Sequence, residues 1–305
     1  MIMIKSLHRA ALPAIMALAL LTSAPQAQEV FSSPDDAATA LAAGVKTGTK
    51  GSILKVLGNA AEDIVASGDE VADAETLKRF SAAYEAKHAI KAEGNEKAIL
   101  ILGNDDFPFP IPLYNTKSGW EFDTAEGRRE ILHRRIGRNE LDAIQTCLAY
   151  VDAQNEYAEK DRGEGVGVYA QRIVSTPGKT DGLFWRDDGD PSPLGELAAE
   201  ASAEGYKVEG RGAPYHGYYF HILKAQGSDA PGGALDYVVK GKMIGGFALI
   251  AYPAKYGNSG VMTFLVNHAG IVFQKDLGRQ TDFVAKRMIL FDPDQTWKKV
   301  DAAKP

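Results

Sequence analysis

Read by the spacing of its apolar positions, the chain divides into a helical front, a short sheet, one long helix and a strand-rich back. Apolar residues recur at helical spacing in Ala37–Val45, in Ser52–Ala66 and in Ala74–Ala86, the last through Leu77, Phe80 and Tyr84. Ser33-Pro34-Asp35-Asp36 opens the first of these with a capping hydroxyl, a proline at the first helical position and acids near the positive helix end. The period then changes. Lys97–Gly103 is a compact apolar run of strand type, and Asp106–Leu113 holds three prolines, which exclude helix and favour a sheet edge. Ser118-Gly119 turns the chain into Trp120-Glu121-Phe122.

Asp123 or Thr124 then caps a helix predicted from Ala125 to Lys160, with Leu141, Ile144, Leu148, Val151 and Ala158 as its apolar stripe and a polar break at Asn155. Gly163–Asp190 is glycine-rich and irregular around an anchor, Leu183-Phe184-Trp185. Ser192-Pro193 starts a short helix through Ala203. Strands are predicted over Tyr215–Ala225, Leu235–Val239, Phe247–Tyr252, Val261–Val266 and Ile271–Lys275, the last two joined by the hairpin Asn267-His268-Ala269-Gly270. Alternation in Tyr215–Ala225 leaves both faces partly apolar, which predicts cover on both sides and the long helix over one of them. The class is α+β. The expected parts are a signal segment, 1–27; an N-terminal α+β domain, 28–124; a long linking helix, 125–162; and a C-terminal antiparallel-sheet domain, 163–305.

Composition narrows the functions open to such a chain. In 305 residues, 45% are hydrophobic and 24% charged, the balance of a chain with a packed core. The formal charge is −6, and Met1–Ala27 holds Lys5 and Arg9 but no acid, so the remainder is more acidic still. That balance disfavours nucleic acid and anionic lipid as partners. The densest basic stretch, Arg128 to Arg138, alternates with Glu126, Glu130 and Glu140 and reads as a solvated helix face of i,i+4 ion pairs. Met1–Ala27 has a basic start, an apolar stretch from Ala10 to Leu21 and a small, polar end, which predicts a secretory signal cut after Ala27 and a periplasmic or secreted protein. The apolar stretch is shorter than a membrane span, and no later segment qualifies. Cys147, the one cysteine, reads as a small buried hydrophobe and excludes an internal disulfide.

Three stretches carry a resemblance: GWEFDTAEGRREILHRRIGRNELDAIQTCLAYVDAQNEYA, PYHGYYFHILKAQG and KMIGGFALIAYPAKYGNSGVMTFLVNHAGIVFQKDLG. They resemble the bacterial exported family known as domain of unknown function 2950. The resemblance spans most of the chain after residue 27 and implies a secreted envelope protein without an assigned activity. Residues 139–160 with 217–273 are also similar to the globular part of type IV pilin-like proteins, where a helix lies across an antiparallel meander. The pilin assembly helix has no counterpart here, so filament formation is not carried over. The N-terminal unit loosely resembles the cone-shaped NTF2-like fold, which implies a pocket.

Motifs with chemistry are few. No short-range pairing of histidines, cysteines or carboxylates forms a metal motif, and His216 and His221, five apart, would face opposite sides of a strand. Asp187-Asp188-Gly189-Asp190 lacks the spacing of a calcium loop. Gly257-Asn258-Ser259-Gly260 misses the serine elbow by one residue, and Gly163–Gly167 has no preceding strand to make it a phosphate cradle. No cofactor, metal or catalytic residue is therefore assigned. The leading expectation is a non-enzymatic envelope interaction or structural module. The alternatives are a small-ligand binder using an N-terminal cone lined by Phe107, Phe109 and Trp120, and a hydrolase of an envelope polymer with Asp105 or Asp187 at work. Trp185 and Tyr215 are the aromatic candidates for partner binding.

Overall fold

The structure, a computed structural model, describes residues 28–186, 189–207 and 213–300. The segment Met1–Ala27, expected to be a signal, and the Asp187-Asp188 pair lie outside these residues.

The N-terminal helices start where their caps dictate. Ser33 accepts the N–H of Asp36 at 3.1 Å and opens α1, Pro34–Lys46; Thr49 opens α2, Lys50–Leu57; and Asp69 accepts the N–H of Ala72 at 3.1 Å and opens α3, Glu70–Ala86. The single helix expected over Ser52–Ala66 is broken instead at Gly58. Its φ of +79° ends α2, and short turns Asn59–Ala61 and Glu62–Val65 follow. These helices cover a small antiparallel sheet ordered β1 (His88–Glu93), β2 (Lys97–Leu102), β3 (Leu113–Thr116) and β4 (Gly119–Phe122), with Phe107–Pro108 also paired to β2. Ala98, Leu100 and Leu102 point inward at alternate positions of β2; Ala98 joins a core with Leu41, Ile53 and Phe122, and Leu100 and Leu102 form a smaller one with Ala38.

α4, Thr124–Glu159, is 36 residues and so about 54 Å long. Its first half buries Thr124, Gly127 and Leu132 on the N-terminal unit. There Gly127 lies so close to Pro110 and Ile111 that a Cβ would stand 2.6 Å from a backbone oxygen, so only glycine fits. Its second half buries Ala143, Cys147, Tyr150, Gln154 and Tyr157, flanked by Ile144 and Val151. The stripe is thus phased differently from the expected one: Leu141, two positions and about 200° from Ala143, is 64% exposed. The buried Gln154 side chain behaves like a strand neighbour, donating to Ala170 O and accepting from Ala170 N, both at 2.8 Å. Cys147 is fully buried, and burial pushes its thiol up to about 12.

The C-terminal sheet is a meander. α5 (Gly195–Ala203) precedes it, and β5 (Tyr218–Leu223), β6 (Ala248–Pro253), β7 (Met262–Asn267) and β8 (Val272–Asp276) pair in chain order, with Lys298–Lys299 beyond β8. The expected hairpin stands between β7 and β8, with Gly270 at φ +70°. The strand expected over Leu235–Val239 is split at Tyr237 into two-residue pieces paired to different neighbours. α4 lies over β6, β7 and β8. β5, at the sheet edge, is not covered as expected: Tyr218 and Leu223 are buried, and the four residues between them are only half-buried.

Polar contacts join the front and back of the molecule at the middle of α4. Arg135, expected on a solvated face, donates instead to Asp63 O at 2.8 Å, to Asn258 Oδ1 at 2.5 Å and to Ile64 O. Asn258 Nδ2 donates to Asp63 O at 2.8 Å, and Asn139 donates to Ser259 O at 2.8 Å. The Glu140 carboxylate accepts the N–H groups of Val261 and Met262, each at 3.0 Å. Arg134 and Glu130 do form the expected i,i+4 pair at 2.6 Å. Replacing Asn258 with Ala removes one of the two donors to the Asp63 carbonyl and an acceptor of Arg135 in a partly buried place. Asn258→Ala is expected to lower unfolding free energy by roughly 1–3 kcal/mol, measured by urea denaturation.

Candidate functional site

The half-covered helix-side face of β5 opens into a cleft of about 1210 Å³. Ligand sites are usually about 300–1,000 Å³, so this one has room for an extended molecule. Its floor is Phe220, Ile222 and Leu249, three residues brought to one face by the pairing of β5 with β6. Thr146 and Tyr150 of α4 form one wall. Leu194 with Leu197, Ala198 and Ala201 of α5 form another, and residues 171–180 a third. Among the described residues, every lysine, arginine or carboxylate residue in the lining is basic: Arg172, Lys179, Arg186 and Lys207.

Outside the two helices the walls are irregular chain, and specific contacts fix them. Trp185 is buried at one end, where its indole N–H donates to Asp190 O at 2.8 Å. The Arg162 guanidinium sits between the rings of Trp185 and Tyr157, at 4.6 and 5.1 Å, and donates to Asp190 Oδ2 at 3.0 Å. At the other end, Tyr206 donates to Asp69 Oδ2 at 2.9 Å, and the same oxygen accepts Gly217 N–H at 2.8 Å. Tyr215 stacks on His216 at 4.2 Å and meets Tyr206 edge-on at 5.0 Å; burial pushes its phenol up to about 12.

His216 lies between two carboxylates, with Nδ1 3.0 Å from Asp142 of α4 and Nε2 2.6 Å from Glu204 just after α5. Both ring nitrogens therefore face a carboxylate, which leaves neither open to a substrate. Its backbone is left-handed, with φ +46°. Burial alone would lower the imidazole pKa, but the hydrogen bonds and charges of Asp142 and Glu204 outweigh it and hold the value at about 9. The resulting imidazolium bridges the α5 wall to the long helix.

The sequence-predicted residues fall in two places. Trp185 and Tyr215 line the cleft; Phe107, Phe109 and Trp120 do not. Phe109 packs between Phe80 and Phe122, with ring centroids 5.5 and 6.1 Å away. Trp120 exchanges backbone hydrogen bonds with Phe31 at 2.8 Å, and Phe107 lies exposed beneath Arg134. Asp105 is exposed in a turn, and the other carboxylate candidate, Asp187, lies outside the described residues. Ser259 is fully buried, its hydroxyl accepting Lys255 N–H at 2.9 Å. The Gly163–Gly167 loop wraps the Asp161 carboxylate, which accepts the N–H groups of Gly163 and Gly165. His221 faces away from His216 and contacts Met288 O at 3.2 Å. Among the described residues, no group of three or more His, Cys, Asp or Glu is placed to hold a metal ion. Reading the sequence missed Arg172, Lys179, Lys207 and Leu197. The one usable signal was the two-sided apolar character of Tyr215–Ala225, which marks a face needing cover that α4 does not supply.

The raised pKa of His216 makes the cleft wall pH-sensitive. Stabilisation is fully present below about pH 6.5 and lost as pH rises through about 9. Wild-type unfolding free energy is expected to fall over that window. His216→Asn, a residue tolerant of left-handed backbone, should remove this part of the slope, measured by denaturant titrations from pH 6 to 10.

A search of curated proteins finds no match, and neither does a search of solved structures. The family model described as "Protein of unknown function (DUF2950)" matches residues 28–300, and the chain belongs to that family.

Proposed function

We propose that this protein is a non-enzymatic binding module of the cell envelope and that the cleft beside β5 is where it binds. The cleft itself carries the reading: an apolar floor, aromatic ends and a basic rim describe a site for a molecule with apolar and acidic parts. The basic, then apolar, then small-residue order of Met1–Ala27 supports export to the periplasm or beyond. Among the described residues no helix is long and apolar enough to cross a membrane. The helix laid across a meander supports the pilin-like reading of the back of the molecule, and the helices on a small sheet support the NTF2-like reading of its front. Partner binding in a cleft needs neither filament assembly nor catalysis.

Anilinonaphthalene sulfonate, an aromatic anion, tests the site. Its fluorescence is expected to rise saturably with one probe per folded protein. Leu197→Trp, which pushes an indole into the cleft from a half-buried wall position, should weaken binding roughly tenfold with the melting temperature within a few degrees of wild type. Absence of saturable binding, or equal binding by the variant, would remove the cleft as the site.

A further inference from the structure

Among the described residues, the edge of the C-terminal sheet has an unfilled place for one more strand. Ala254 N–H donates to Gly217 O at 2.8 Å. By the alternation of an antiparallel ladder, Tyr219, His221 and Leu223 therefore turn their backbone groups inward to β6, and Tyr218, Phe220 and Ile222 turn theirs outward. Both ends of the outer row are already taken. Tyr218 exchanges two hydrogen bonds with Tyr215, at 2.8 and 3.0 Å, and the Lys224 carbonyl accepts Tyr237 N–H at 3.0 Å. Between them, the outward N–H and C=O groups of Phe220 and Ile222 have no partner among the described residues, and both residues line the cleft.

Those four groups, two residues apart, match the repeat of an extended backbone, and a lipid tail or a lone aromatic ring has no such repeat. The open stretch, residues 219–223, is roughly 17 Å long, enough for about five residues in strand form. Side chains of an added strand that fall on the helix side would lie over the same apolar floor as Phe220 and Ile222. The charge of the lining then selects among peptides. Lys179 and Lys207 are exposed, have no ion-pair partner among the described residues, and stand in a cleft whose described lining holds no carboxylate, on a chain of net charge −6. We infer that the cleft takes an extended acidic peptide segment, which adds to the edge of the sheet by pairing with Phe220 and Ile222 and sets its carboxylates near Lys179 and Lys207. This rests on the cleft being the binding site and names the class of partner.

The probe is a fluorescein-labelled peptide of alternating acidic residues and valine, seven residues long, followed by anisotropy with the purified full chain. Two control peptides carry methyl groups on either the odd or the even backbone nitrogens. Expected are saturable binding of the parent, a loss of tenfold or more for one methylated peptide, and retained binding for the other, because only alternate nitrogens face the strand. Lys179→Glu with Lys207→Glu, both at exposed positions, should weaken the acidic peptide at least tenfold and favour a lysine-valine peptide. Equal binding of both methylated peptides would overturn strand addition. So would failure of the parent peptide while decanoate displaces anilinonaphthalene sulfonate, an outcome that leaves the cleft as a binding site for a different ligand. If peptide, decanoate and dye all fail to bind, the inference and the reading beneath it fall together.

Discussion

The arrangement of the molecule depends on one half-buried cation. The Arg135 guanidinium leaves water and takes two backbone carbonyls of the 63–64 turn and the Asn258 side chain in exchange. A charge so placed is tolerated only while its donors are engaged, so the helix, the N-terminal turn and the loop before β7 must meet at one point. A few residues further along the same N-terminal segment, Asp69 binds Tyr206 and Gly217. The cleft is thus framed from a distance: the front of the chain fixes the residues at which its far wall and β5 begin.

The cleft exists because a straight helix cannot cover a whole twisted sheet. α4 lies over the three inner strands and leaves the edge strand to α5 and to the irregular chain at residues 170–186 and 189–194. The irregular part has little regular hydrogen bonding of its own, and side chains replace it. Gln154 pairs with Ala170, Arg162 with Asp190 and two aromatic rings, and Thr176 with Asp181. A wall held by side chains follows the shape of its pins rather than closing onto the sheet, which keeps the floor at Phe220 and Ile222 open.

Much of the fold could be read along the chain because alternation and caps are local. The meander strands announce themselves by two-residue periodicity, and Ser33 and Asp123 mark helix starts by their own side chains. β1 escaped such reading because five of its six residues are exposed, so it has no buried face to impose a pattern. The phase of α4 escaped because Leu141 looks like core by type and Gln154 does not, although burial is the reverse. The cleft was legible only in part. Trp185 and Tyr215 stand out as large aromatics, but the basic wall gathers Arg172, Lys179 and Lys207 from turns far apart in sequence, and nothing local shows that they share a face. Phe109 misled for the same reason: an aromatic beside prolines looks available until Phe80 and Phe122 close over it.

The lone thiol has a use that its inertness supplies. Cys147 sits where α4 meets the meander, and with its pKa held at about 12 it is almost wholly protonated near neutrality. Thiol reagents therefore find no reactive cysteine on the folded chain, and two folded copies cannot be joined by a disulfide through it. Any chemical labelling of this sulfur reports instead a moment when the helix has lifted from the strands, so the chain carries its own clock for that opening.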